Sequence, residues 1–593
     1  MKQRQILKVL SVIMGLSMLF SVSCAGNGGG NGGGHKHVFD RQVSEEKYLK
    51  SEKTCTEAMQ YYYSCACGEK GEESYSVGTK GLHSYKAEVV GDDYVKSEAT
   101  CQATAVYYKS CVYCGRSSNV NALTFTVEGF GDHQYTKEKV GGAYIAVEAT
   151  KESPALYYKS CACGAVGTET FAYGQTIPDL TEEQKEDYKP VSLTLTMYDT
   201  ETSTYGFTYN TAKEPLRPVI QFEKGNTLTE NAQEVGANFS KWSSYNKDDT
   251  TFTYYVSKAE VQLEPATTYT YRVYDKYAEC GSETVTFTTR DASSTSFTFS
   301  HMSDSQCDPS SGYNFGVVLN QIKDTSDFVL HTGDVVEWSK HESEWTDMLH
   351  ENFQYLSKMP LMGIAGNHDS TYKSGTSEFW KHFNNKIPEQ VSTKAGYYYS
   401  FTYSNAKFIM LNTNNSSGAL DSPQYAWLIN ELKNNDSDWT IVGMHCPLYS
   451  IGQWGADPEK NRQSLALRAQ LQGVFAEYGV DVVFQGHDHL ISRTNPISAD
   501  GKPTAETWRT ENSVEYSVDP NGVIYVMDGM VGSNTKGVVA VAEGIYKYAQ
   551  GSGSCTWADV TIDGNRLTLA LKSYRGNETT LQKWGIVKTE NAA

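Results

Sequence analysis

Five apolar runs in the last half of the chain are each followed within a few residues by a cluster of metal-binding side chains. This limits what the segment can fold into. Phe297–Ser300 leads to Asp304-Ser305-Gln306, and Phe328–His331 to Gly333-Asp334. Leu361–Ile364 leads to Gly366-Asn367-His368-Asp369, Thr440–Met444 to His445-Cys446-Pro447, and Val482–Phe484 to Gly486-His487-Asp488-His489. Short apolar runs bounded by turn residues read as buried strands. Side chains at the ends of neighbouring parallel strands converge on one cleft. Carboxylate, amide oxygen and imidazole are donors for divalent metals, so the ordered set spells a dinuclear metal centre. A further strand is expected at Phe408–Leu411, and a helix over Pro423–Lys433 with Ser422 as N-cap and Pro423 at its first position. Strands alternating with helices indicate an α/β layered domain.

At 593 residues the chain is too long for one core. A formal charge of -19 argues against general nucleic-acid binding, which favours a basic surface. An acidic protein can still take phosphate esters where metal ions supply local positive charge. The 41 tyrosines suit a β-rich, extracytoplasmic protein. Residues 1–24 read as an export signal: Lys2, Arg4 and Lys8 precede an apolar stretch from Val9 to Val22. Cys24 after Ser23 resembles the lipidated cysteine of a bacterial lipoprotein, although Ser21 stands where Leu is usual. This implies a lipid-anchored surface protein, the alternative being plain secretion or a retained anchor. Residues 25–34, nearly all Gly and Asn, read as a tether.

Residues 35–177 hold three copies of one small module. His37, His83 and His133 open the copies, with periods of 46 and 50 residues. In the same register follow Cys55, Cys101 and Lys151, then Cys65, Cys111 and Cys161, and finally Cys67, Cys114 and Cys163. One His and three Cys per module make a tetrahedral zinc set, and so small a module has little core without a staple. The expected structural zinc sets are His37, Cys55, Cys65 and Cys67, then His83, Cys101, Cys111 and Cys114. A disulfide of the Cys55–Cys65 kind in a β-hairpin spacer is the other reading. These copies resemble His/Cys repeats of Firmicutes surface proteins, which implies a stalk or a cell-wall contact. After an acidic linker from Pro178 to Pro190, alternation in Val191–Leu195, Tyr269–Tyr274 and Val285–Thr288 suggests an all-β sandwich.

Taken together, the ordered motifs resemble the calcineurin-like metallophosphoesterase superfamily, and its purple acid phosphatase-like branch most of all. The likeness runs from about Pro190 to Lys588 and includes Gln424-Tyr-Ala-Trp-Leu428. The stretch from Leu263 to Val273 resembles the fibronectin type III-like domain of that branch. The resemblance implies a multidomain chain: three His/Cys-rich β repeats, a fibronectin type III-like sandwich at 190–292, and a four-layer α/β metallophosphoesterase sandwich at 293–593. It also implies that Asp334 bridges two metal ions (Fe, Zn or Mn), with Asp304 and His489 completing one site. Asn367, His445 and His487 would hold the other. The metals would activate water for in-line attack on a phosphate ester that Asn367 and His368 help to bind. His368 would protonate the leaving group, with Asp369 orienting its ring.

Two positions depart from the pattern. Gln306 stands where the superfamily has a ligand His, making it a weaker ligand for the first metal. Glu337 replaces the Tyr whose phenolate colours the purple enzymes, so no iron–tyrosinate band is expected; Glu337 is read as a solvated carboxylate, the alternative being a substitute ligand. His301, His331, His350 and His382 are read as core residues, and Cys307 and Cys446 as small packing residues, the alternative for the two cysteines being ligands or a disulfide pair. Tyr449, Trp454 and Trp338 lie near the motif loops, where they would either line a cleft or simply pack. The functional expectation is an exported phosphoesterase. The alternative is a surface scaffold whose phosphoesterase domain has decayed.

Overall fold

The computed structural model describes residues 37–589 apart from 98, 102, 119–122, 200–202, 247, 249, 292, 308–312, 371–377, 389–396, 415–417 and 552–554. The expected leader at 1–24, with Cys24, and the expected tether at 25–34 lie outside the described residues. The chain divides into two units, Met1–His133 and Gln134–Ala593.

In the first unit each module is a small antiparallel β element. Leu49–Ser51 pairs with Met59–Ser64, which pairs with Lys70–Val77. In the second copy Val95–Ser97, Thr104–Tyr108 and Thr124–Phe130 repeat the pattern, with an added ladder between Tyr85–Ala87 and Ser110–Cys111. This geometry corrects the ligand sets expected within each module. Cys55 lies before strand Met59–Ser64 and Cys65 after it. Cys55 is grouped with His83, Cys111 and Cys114 and not with His37, Cys65 and Cys67. Cys65 instead bonds Cys67, with His37 Nδ1 3.3 and 3.2 Å from the two sulfurs.

The second unit begins within the third copy, just after His133, and that part of the copy packs on the β-sandwich. Ala149, Ala155 and Tyr157 bury against Tyr277, and the Arg217 guanidinium donates to both oxygens of Glu148. The acidic linker contains a short helix, Glu182–Lys185, closed by a capping box between Thr181 and Gln184. The sandwich has two sheets. One orders Val191–Asp199, Thr204–Thr211, Thr251–Gln262 and Asn238–Tyr245; the other is built around Pro218–Lys224 and Thr268–Asp275. It is seated on the α/β domain by polar bonds as well as by a shared core: Thr196 Oγ1 donates to Asn384 O at 2.7 Å, Tyr271 Oη to Ser357 O at 2.6 Å, and Asn210 Nδ2 to Glu342 at 2.7 Å.

The α/β domain is built on two mixed sheets. The first contains the parallel strands Leu361–Gly363, Phe328–His331 and Ser296–Met302, continued antiparallel by Thr556–Asp563, Arg566–Tyr574 and Glu578–Val587. The second contains Ala406–Leu411, Trp439–Met444, Val482–Gln485 and Ile524–Asp528 in parallel. All six expected strands form, because each apolar run is buried on both faces. The expected helix runs Ser422–Lys433, but its N-cap is Asp421, whose carboxylate accepts the Gln424 N–H at 2.9 Å. No helix among the described residues is long and apolar enough to cross a membrane.

Candidate metal centre

Five loops leave the carboxyl ends of these parallel strands and meet at one buried cluster. Asp334, His445 and His487 place ligand atoms within 4.8 Å of one another, and so do Asp304, Asp334 and His489. Asp334 belongs to both groups. A carboxylate has two oxygens, so this shared residue could contribute to two cation sites. Asn367 joins the first group, its Oδ1 3.0 Å from His445 Nε2.

The hydrogen bonds around the ligands leave ring nitrogens facing inward. His445 Nδ1–H donates to Thr332 O at 2.9 Å, which leaves Nε2 as the nitrogen that faces the cluster. That Nε2 lies 3.1 Å from His487 Nδ1 and 3.3 Å from Asp334 Oδ2. His489 Nδ1 donates to Asn534 O at 2.5 Å, which turns Nε2 toward Asp304 Oδ1 at 3.3 Å. His489 Nε2 is fully buried and has no hydrogen-bond partner among the described residues. Lone pairs aimed at lone pairs in a buried site are the signature of missing positive charge, so these donors fit two metal ions.

Electrostatics agree. Asp304 and Asp334 are fully buried, which would raise their pKa values, yet the facing imidazoles hold both well below the usual carboxylate range. His445 is pushed up to about 9, because Asp334 and Asp304 outweigh its burial. Burial and the neighbouring His445 drive His487 well below its usual value.

The backbone is strained where the ligands sit. Asp304, Gln306, Asp334, His487 and His489 all have left-handed φ, between 41° and 76°. Such conformations cost of order 1–3 kcal/mol each and persist only where surroundings enforce them. Two glycines show how tightly the loops meet. A Cβ on Gly366 would lie 2.1 Å from Asp334 Oδ1, and one on Gly486 would lie 2.1 Å from Ser303 Oγ and 2.8 Å from Asp304 Oδ2.

Gln306 is buried in the same loop as Asp304, and its N–H donates to Asp334 O at 2.9 Å. His368 lies at the rim: its N–H donates to Asp334 Oδ1 at 2.7 Å and its ring Nδ1 to Glu337 O at 2.9 Å. Its pKa is raised, the charges of Asp334, Glu337 and Asp369 prevailing over burial.

The expected role of Asp369 is corrected. Its Oδ1 accepts from Val335 and Val336 N–H and its Oδ2 from Gly366 N–H, so both oxygens clamp the two ligand loops together. The group on the His368 ring is Glu337, whose carboxylate also approaches Nδ1 at 3.5 Å and is about a quarter exposed. Burial and the Asp334 charge push Asp369 up to about 7.

Among the histidines set aside, His301 is a satisfied core residue between Asp528 and Thr332, while His331 bonds Ser305 and His382 stacks on Trp345. His350 is exposed rather than core, because it ends a surface helix. Cys307 and Cys446 are buried thiols. Of the three aromatics only Trp454 reaches the site, its ring 4.9 Å from His487; Trp338 is exposed and Tyr449 packs on Tyr525. Sequence reasoning missed three positioning residues. Asn414 Nδ2 holds the carbonyls of Ala365 and Gly366, and Lys536 Nζ holds His487 O at 3.0 Å. Asp488 anchors the loop carrying Trp454 through Ser450 and the N–H groups of Trp454 and Gly455. Asn414 and Lys536 stand outside every motif, and nothing local marks them.

Comparison with known proteins agrees with this geometry. Residues 297–490 match the calcineurin-like phosphoesterase family. Purple acid phosphatase 15 of Arabidopsis thaliana is 26% identical over 197 residues, covering 32% of either chain. The Fe(3+)-Zn(2+) purple acid phosphatase 12 of the same plant is 30% identical over 151 residues, or 24% of this chain and 31% of its own. The chain spans about a third of the length of these curated relatives. A purple acid phosphatase structure from yellow lupin (Lupinus luteus) seeds superposes with a TM-score of 0.56 at 18% identity, covering 68% of this chain and 75% of that one, and so shares the fold. Residues 297–490 therefore resemble a calcineurin-like phosphoesterase domain, and the relatives they match are metal-dependent phosphoester hydrolases.

Proposed function

We propose that the chain hydrolyses phosphate esters at the dinuclear centre formed by Asp304, Asp334, Asn367, His445, His487 and His489. The observation that carries this is the pair of ligand groups sharing Asp334. When bound, the two metal ions supply Lewis acidity toward phosphate oxygens and toward water. The protein's residues do the rest. His368, with Nδ1 fixed on Glu337 O, has Nε2 as its remaining nitrogen and hands a proton to the leaving oxygen from there. The clamp at Asp369 and the bond from His368 N–H to Asp334 keep that ring in register with the metal loops. Gln306 makes the first site the weaker of the two, and Glu337 in the tyrosine position gives an enzyme without a purple band.

The test uses the full-length chain with Mn, Zn or Fe and para-nitrophenyl phosphate or its bis-ester. Turnover is expected, with loss in Asn367→Ala. No turnover with any metal would leave the decayed-scaffold reading in its place. Rates on matched mono- and diesters then assign the substrate class. The leader-like residues 1–24 and Cys24 support the further reading that the enzyme works outside the cytoplasm on a lipid anchor, with the repeats as a stalk or cell-wall contact. Metabolic labelling with a fatty acid, lost in Cys24→Ser, tests the anchor.

A further inference from the structure

The first Cys of a module does not serve its own module. Cys55 comes from the first copy, yet its sulfur lies with His83, Cys111 and Cys114 of the second, all four ligand atoms being within 4.8 Å of one another. Cys55 Sγ is 3.5 Å from Cys111 Sγ, and Cys114 Sγ is 3.3 Å from His83 Nδ1. Zinc–sulfur and zinc–nitrogen bonds of roughly 2.3 and 2.0 Å put tetrahedral ligands about 3.5–3.8 Å apart, so these spacings suit one ion. Cys55, Cys111 and Cys114 are free thiols. We propose that Cys55, His83, Cys111 and Cys114 bind one zinc ion that fastens the first module to the second.

The backbone builds this site before any metal arrives. Cys111-Val-Tyr-Cys114-Gly115 is a tight turn: Gly115 N–H donates to Cys111 O at 2.9 Å with Gly115 at φ 72°, and Cys111 N–H donates to Arg116 O. Tyr85 lies opposite Cys111 in the ladder and Val112 N–H donates to Ser84 O, which brings His83 alongside. The Cys55 loop is pinned next to the start of the second module: Gly81 N–H, two residues before His83, donates to Thr54 O at 2.7 Å. Cys55 is thus grouped with the second copy and not with Cys65 of its own.

The same rule accounts for a departure in the sequence. If each first Cys serves the module that follows, the third copy has nothing to serve, and that position is Lys151, which forms an ion pair with Asp179. In the first copy His37, Cys65 and Cys67 lie together, with no fourth His, Cys or acidic ligand grouped with them among the described residues. Modules this small bury little apolar surface, so a metal staple between copies supplies the stiffness that short hairpins lack.

The test is a protection map on the full-length wild-type chain, isolated with zinc and alkylated with iodoacetamide before and after chelation. Cys55, Cys111 and Cys114 should be shielded together and become reactive together as zinc leaves. In the cobalt(II)-substituted chain, the thiolate-to-cobalt charge-transfer band is blind to the phosphoesterase centre, which has no thiolate. Cys55→Ser and Cys114→Ser should each remove the same share of this band, and the double variant no more than either. Alkylation of Cys55 at a rate indifferent to zinc would overturn the proposal. A Cys55–Cys111 disulfide in the isolated chain would do so too, as would a loss from Cys55→Ser that adds to that from Cys114→Ser.

Discussion

Gly366→Ala tests how the metal centre is held. Gly366 does not have a positive φ, so alanine brings no backbone strain and the effect is one of space alone. The added Cβ would lie 2.1 Å from Asp334 Oδ1 and 2.2 Å from Asp334 N, where contact requires roughly 3.5 Å. A rotamer change cannot relieve the second clash, because that atom is backbone. The Asp334 loop must therefore retreat by about 1 Å, taking the shared carboxylate with it. Misplacement of that size costs about 10²-fold in rate, equivalent to about 2.7 kcal/mol of transition-state stabilisation. Overpacking adds about 1–3 kcal/mol of lost stability. The assay is kcat/KM on para-nitrophenyl phosphate across a metal titration, with metal content measured on the same samples. Gly551→Ala, which meets nothing within 4 Å, is the control. A Gly366→Ala enzyme with full metal and a rate within threefold of the parent would refute the claim that close approach at Gly366 positions Asp334.

Other expectations follow from the same geometry. His368→Ala should slow hydrolysis of alkyl phosphates by about 10²–10⁴-fold but barely affect para-nitrophenyl phosphate, whose leaving group needs little protonation; a loss independent of leaving-group pKa would exclude a general-acid role. Asp369→Asn sets an amide N–H against at least one of the three backbone N–H groups the carboxylate now accepts. It should cost about 1–3 kcal/mol in denaturant unfolding while leaving the pH–rate profile in place. A moved profile with unchanged stability would show that Asp369 acts on the His368 proton after all. Burial lowers Lys258 to about 7, its ammonium donating to Trp380 O and Phe383 O. Below pH 7 the folded and unfolded chains both hold the proton. Between pH 7 and 10.5 the unfolded chain holds more, so this residue makes stability rise with pH across that window. Lys258→Met should flatten the rise, and an unchanged slope would place the titration elsewhere.

By itself the sequence determined the strands of the α/β domain and the ligand types, because both are local. Phe328–His331 is apolar throughout and must be buried, and Gly333-Asp334 can follow only as the turn at its end. The order of motifs then implied one cleft, since parallel strands align their carboxyl ends. What the tertiary structure decided is which groups meet across that cleft. Asp334 is shared between two ligand groups, Asp369 spends both oxygens on backbone, and Glu337 takes its place beside His368. Lys536 and Asn414 reach the site from outside any motif. These pairings depend on sheet order and loop path, which no local pattern encodes. The repeats show the same division. Spacing alone revealed the copies and their His and Cys residues. Tertiary structure put Cys55 beside His83, Cys111 and Cys114 of the next copy and not beside Cys65. The path of the chain decides which side chains meet, and their spacing in sequence does not record it.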